Sequence, residues 1–173
     1  MINITCAFIK RSLAKILCIG LLPIVLVSYP VLGDQLQIVS VDPGYVSYQG
    51  SELTIPLHHA TSDGLGATSG LGLRIYYDSS ALRQFRAESI LQFGFLSQLD
   101  RIDSEDLDED PKTDRYLLFA WVSIDGRPWP GSEFERILEL RGELLSQSYV
   151  FIDASDTSVG YGFEGGRIEL DIP

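Results

Sequence analysis

The sequence is poor in cysteine, histidine and positive charge. Of 173 residues, two are Cys and two are His, and 13 Lys and Arg stand against 24 Asp and Glu. Both cysteines, Cys6 and Cys18, lie near the N-terminus. Beyond them the chain has no disulfide, no thiol nucleophile and no Cys ligand for zinc. The two histidines, His58 and His59, are adjacent. Neighbours on a strand point to opposite faces, so the pair is poorly placed to share a metal. Scarce Lys and Arg exclude a phosphate-reading surface, hence a nucleic-acid partner, and also docking on anionic lipid by charge. No G-x-S-x-G elbow is present. No internal repeat and no low-complexity linker divides the chain, which reads as one domain behind a leader.

The one long apolar run is at the N-terminus. Lys10, Arg11 and Lys15 precede it, Ile16–Val27 forms it with breaks at Gly20 and Pro23, and Val31, Leu32 and Gly33 follow as a small-residue cleavage pattern. This order predicts a secretory signal peptide over residues 1–33. A retained membrane anchor is the alternative. The run is short for a span of about 20 residues, and Pro23 and Pro30 disfavour one. The expectation is therefore a secreted or periplasmic protein, exported from a bacterium, that meets the membrane only during export. Residues 1–33 hold three basic and no acidic residues, so the 140 residues from Asp34 to Pro173 carry 10 basic against 24 acidic, a net charge of −14. A domain of that length buries roughly two-thirds of its surface, enough for an apolar core to hold it without disulfides.

From Gln35 onward the apolar residues recur with period two or in short runs between turn signals. Gln35–Val41, Glu52–His58, Leu71–Tyr77 and Arg167–Ile172 alternate. Tyr45–Tyr48 and Tyr149–Ile152 are shorter strands, and Ser80–Ser97 reads as two strands with irregular joins. Pro56 implies an edge strand or a bulge, because proline cannot donate to a ladder. Tyr116–Val122 is apolar on both faces, as in a covered sandwich strand. Glu133–Leu145 fits either a helix through Phe134, Ile137, Leu138 and Leu140 or a two-sided strand; Gly142 and the surroundings favour the strand. Asp153–Gly166 reads as a Gly, Asp and Ser-rich stretch. The sum is an all-β, antiparallel jelly-roll sandwich of about nine strands over residues 34–173.

Two loops draw attention for chemistry. Asp100–Asp114 carries eight acidic residues among fifteen. Asp106, Asp108, Asp110 and Asp114 supply oxygen donors of the kind calcium takes. An EF-hand starting at Asp106 is excluded, since Pro111 and Leu117 stand where Gly and Glu are required. The second loop presents Trp129 between Pro128 and Pro130. A stiff, exposed aromatic is what sugar rings stack on and what protein interfaces use as an anchor. Tyr45 and Tyr161 are further loop aromatics for a polysaccharide ligand. A paired-carboxylate hydrolase has only the abundance of Asp and Glu in its favour, and the reading is of a protein that is not an enzyme.

Four stretches, residues 41–67, 70–85, 110–144 and 157–172, together resemble the cohesin-like branch of the cellulose-binding β-sandwich superfamily. The most telling is Gly70–Phe85, an alternating strand, an aromatic-Tyr-Asp turn, then Ser-x-Leu before the next strand. The resemblance implies a nine-stranded jelly-roll sandwich without catalytic residues. Cohesins bind protein partners on a sheet face, and their relatives bind polysaccharide through planar aromatics. The functional expectation that follows is a secreted, non-catalytic module for protein–protein adhesion or scaffolding, its partner a surface or secreted protein. Carbohydrate binding through Trp129, Tyr45 and Tyr161 is the alternative. No cofactor is required, though the acidic loop could hold calcium.

Overall fold

The computed structural model describes residues 35–64, 68–89, 95–123 and 134–172. The leader, residues 1–33, and Trp129 lie outside the described residues. The described chain is all-β. Its strands are β1 (Gln35–Ser40), β2 (Ser47–Gln49), β3 (Glu52–Thr61), β4 (Gly70–Tyr77), β5 (Leu82–Ser89), β6 (Phe95–Ile102), β7 (Arg115–Val122), β8 (Glu135–Leu144), β9 (Ser148–Thr157), β10 (Tyr161–Glu164) and β11 (Gly166–Leu170). They form two sheets. Sheet A runs β10-β1-β3-β8-β5, with β2 added beside β3; sheet B runs β11-β9-β4-β7-β6.

The period-two pattern sets the inner faces. Leu53, Ile55 and Leu57 of β3 and Leu138, Leu140 and Leu144 of β8 face Leu71, Leu73 and Ile75 of β4 and Leu117, Phe119 and Trp121 of β7 in one core cluster, all nearly inaccessible. Each such side chain contributes roughly 1.5–3 kcal/mol of transfer free energy.

The all-β, two-sheet sandwich expected from sequence is found, and it differs from that expectation in two details. The described residues hold eleven strands rather than about nine, because part of Asp153–Gly166 continues β9 to Thr157 and then forms β10. The β1–β10 pair is parallel, Gln35 opposite Tyr161 and Ile38 opposite Glu164. One length of chain thus serves both sheets, β10 in sheet A and β11 in sheet B. The change of sheet occurs at Gly165, where any Cβ would run into the Ile152 carbonyl oxygen.

Glu135–Leu144 is a strand, as favoured. Its helix-like spacing has a local cause. Leu57 opposes Leu138 and His58 opposes Arg136, so Ile137 is an extra residue in β8. Such a bulge lets Ile137 and Leu138 both turn inward. Pro56 sits one residue before that irregularity, in an interior strand. β1 covers His58–Thr61 and β2 covers Glu52–Thr54, so the flank of β3 at Pro56 is open between them.

Candidate functional site

The acidic segment is a folded loop joining β6 to β7. Asp103 N–H donates to the Asp114 carbonyl at 2.9 Å and closes it. Asp106 and Glu109 take positive φ, 51° and 57°, and the Asp106 carbonyl accepts from Glu109 N–H at 3.1 Å. Asp108 accepts the Thr113 hydroxyl at 2.7 Å. Asp110 accepts Lys112 N–H at 3.1 Å and the Tyr149 hydroxyl, and lies 3.7 Å from Arg167. Asp114 accepts the Ser79 N–H at 2.7 Å and its hydroxyl at 2.6 Å. The Arg167 guanidinium lies over the Tyr149 ring, 3.4 Å from its centroid.

These contacts set the protonation equilibria. The Tyr149 hydrogen bond, with Lys112 N–H and Arg167, holds Asp110 below the usual carboxylate range. Burial works to raise Asp114, but the two Ser79 bonds outweigh it and the group is lowered. At Asp108 burial prevails over the Thr113 bond and the group is raised. Burial, then Asp110, push the Tyr149 phenol up to about 12.

The loop is therefore fastened to β9, β11 and the β4–β5 turn through its own carboxylates. Asp106, Asp108, Asp110 and Asp114 are not gathered around a point as calcium would need. Among the described residues no group of three or more His, Cys, Asp or Glu side chains is placed to hold a metal ion. Chelator is accordingly expected to leave the melting temperature unchanged, since only a ligand of the native state raises it. A drop on chelation, reversed by calcium, would show the carboxylates rearranging around an ion.

The outer face of sheet B is the other notable region. Along β7 the outward residues Tyr116, Leu118, Ala120 and Val122 are half-buried. At the acidic loop's end of this face, Tyr76 of β4 is 1% exposed and packs against Tyr116 and Phe151, with ring centroids 5.5 and 6.1 Å away. One step along, Leu118 faces Arg74 on one side and Leu99, 39% exposed, on the other. A step further, Ala120 faces Gly72, and the β4–β9 register shifts between Gly72 and Leu73. A Cβ on Gly72 would collide with the Ser155 hydroxyl. The small residues leave a trough of about 260 Å³ lined by Gly70, Gly72, Ala120, Val122 and Ser155. In sequence this face shows only as the run Tyr116–Val122, apolar on both sides.

The outer face of sheet A differs. Arg141 contacts Glu139 at 2.8 Å and Glu88 at 3.6 Å, and Arg136 contacts Glu139. This is a charge ladder of the kind a solvated face carries.

Tyr45 and Tyr161 are not brought together. Tyr45 is 63% exposed, its ring 6.2 Å from that of His58, which stacks on Phe134 at 4.4 Å. Tyr161 is half-buried at the start of β10, and its hydroxyl donates to Asp63 at 2.7 Å. His58 and His59 lie on opposite faces, as the strand period requires. Burial, then Arg136, lowers His58; His59 is inaccessible inside the sandwich and pushed down to about 4 by burial.

No protein-family model and no curated protein matches the sequence. Several solved structures are similar to it. The sixth cohesin of scaffoldin B from Acetivibrio cellulolyticus, in complex with a Cel5 dockerin, is 14% identical, with a TM-score of 0.47 over 80% of this chain and 100% of that one. The cohesin of the OlpA cohesin–dockerin complex from Clostridium thermocellum is 11% identical, with a TM-score of 0.46 over 79% of this chain and 99% of that one. The module CaCohA2 from Clostridium acetobutylicum is 13% identical, with a TM-score of 0.44 over 80% and 92%. At these identities the likeness is one of fold.

Proposed function

We propose that this chain is an exported, non-catalytic adhesion or scaffolding module that docks a protein partner on the outer face of sheet B. One observation carries the reading. Sheet B leaves Leu99, Leu118, Ala120 and Val122 beside a small-residue trough, whereas sheet A covers its outer face with paired charges. An apolar strip with a recess suits a well-packed interface centre. The net charge of −14 on residues 34–173 favours a partner with a basic rim. The cohesin-like sequence pattern agrees with this use of a sheet face.

The test is capture of partners from the extracellular fraction of the native host on immobilised protein. Ala120→Arg, which fills the trough from the outer side, is expected to weaken the captured complex at least about tenfold, as a central position would. Glu88→Gln on sheet A is expected to leave it unchanged. A complex indifferent to Ala120→Arg would remove sheet B from the interface. A carbohydrate ligand is favoured only by the exposed Tyr45–His58–Phe134 cluster. A glycan-array signal lost in Tyr45→Ala but kept in Ala120→Arg would establish that reading instead.

A further inference from the structure

β11 is an edge strand. It pairs with β9 on one side and with no described strand on the other. Beside its free edge runs a groove of about 580 Å³, with Val41, Val46, Tyr48, Ile168 and Ile172 as its apolar lining. The first four are half-buried against the core, and Ile172 is 57% exposed. The strand itself reads Gly-Arg-Ile-Glu-Leu. Arg167 and Glu169 stand on its outer side, 46% and 60% exposed and paired with each other at 2.6 Å, an ion pair that two copies side by side would exchange, and Ile168 stands inward; all three border the groove.

We infer that a second copy of this chain covers this edge, β11 pairing antiparallel with β11 about a two-fold axis at Ile168. In that register Arg167 of each copy opposes Glu169 of the other, twice, and the two Ile168 side chains meet over the joined grooves. Directly opposed unlike charges favour a strand pair, and like charges oppose it. The register is specific. Sliding by two residues sets Arg167 against Arg167 or Glu169 against Glu169, and a parallel in-register pair opposes like charges throughout. The contact is isologous and closes on itself, so it yields a dimer rather than a filament. The acidic chain adds long-range repulsion, which reaches about 8 Å at physiological ionic strength and about 30 Å at 0.01 M. The dimer should therefore weaken as salt is withdrawn.

The experiment is analytical ultracentrifugation of the protein across concentration, at both ionic strengths. A reversible monomer–dimer equilibrium is expected, shifted to monomer at low salt. Glu169→Arg and Arg167→Glu should each reduce self-association at least about tenfold, and an equimolar mixture of the two should form a one-to-one heterodimer. Arg167 also touches Tyr149 and Asp110, so the fold of its variant is checked by circular dichroism. If that variant does not fold, hydrogen exchange of the unmodified protein gives the answer: protection at Gly166–Leu170 should rise with concentration. A monomer up to millimolar concentration would overturn the inference and leave Arg167 and Glu169 as charges that guard an edge. A dimer that withstands both charge reversals would overturn it as well.

Discussion

Gln37→Leu is expected to lower the free energy of unfolding by about 2–4 kcal/mol, although leucine fills nearly the same space. Gln37 is inaccessible on the inner face of β1. Its amide donates to the Gly70 carbonyl at 3.1 Å, and its Oε1 accepts the Ser158 N–H at 2.8 Å. The Ser158 hydroxyl in turn accepts the N–H groups of Ser69 and Gly70, at 2.8 and 3.1 Å, and donates to the Gly70 carbonyl at 2.8 Å. A strand of sheet A is thereby tied to the start of β4 and the end of β9 in sheet B. Leucine leaves the Ser158 N–H without this acceptor inside the sandwich, and the desolvation cost of an unmade buried bond exceeds the net value of a made one. Urea denaturation with an unchanged m-value measures the loss. A loss below about 1 kcal/mol would mean that water or a backbone shift supplies the missing acceptor.

The second large effect is one of pH and involves the neighbouring side chain. His59 Nε2 lies 3.4 Å from the Gln37 amide nitrogen. The ring titrates near 4 in the fold, against 6.5 for an unperturbed histidine. Above pH 7 the ring is neutral in both the folded and the unfolded chain, and it adds no pH dependence. As pH falls below 6.5 the unfolded chain binds a proton that the native one refuses, so stability declines by about 1.4 kcal/mol per pH unit. By pH 4 the decline reaches about 3 kcal/mol. Asp110 and Asp114, both lowered, then add to it, because their contribution is present above the unfolded carboxylate value and is lost as pH falls through the folded one. His59→Leu should flatten the curve between pH 7 and 4.5 and leave the lower limb. An equal slope in that variant would assign the decline to the carboxylates alone.

The strands were legible where apolar residues alternate along the chain, as in β3, β4 and β11. They were also legible where both faces are apolar, as in β7, although that run reads as covered on both sides and its outer residues are only half-buried. Pairings between distant segments left no local trace. Nothing in Gln35–Ile38 or Tyr161–Glu164 announces that they run parallel, and the glycines around β10 disguise it as a turn. In the acidic loop the partners of the carboxylates were hidden for a related reason. Donor density suggested calcium, but the groups that engage those carboxylates lie far off in sequence, Ser79 being 35 residues from Asp114 and Tyr149 being 39 from Asp110. Gln37 looks like the polar member of an alternating strand; only the second sheet reveals that it points inward.

The parallel pair of β1 and β10 also gives the fold a sense of completeness. Gln35 and Tyr161 are 126 positions apart, so sheet A cannot close until the chain has been synthesised as far as β10. Folding dominated by such distant pairings is slow, since the entropy of closing the loop precedes any reward. A chain stopped before Tyr161 would lack both the strand that covers β1 and the strand that ends sheet B. It would hold an open edge and an uncovered core margin for proteases to find. β10 and β11 act in this way together: the edge of β1 and the margin of the core become resistant to digestion only once both strands have joined.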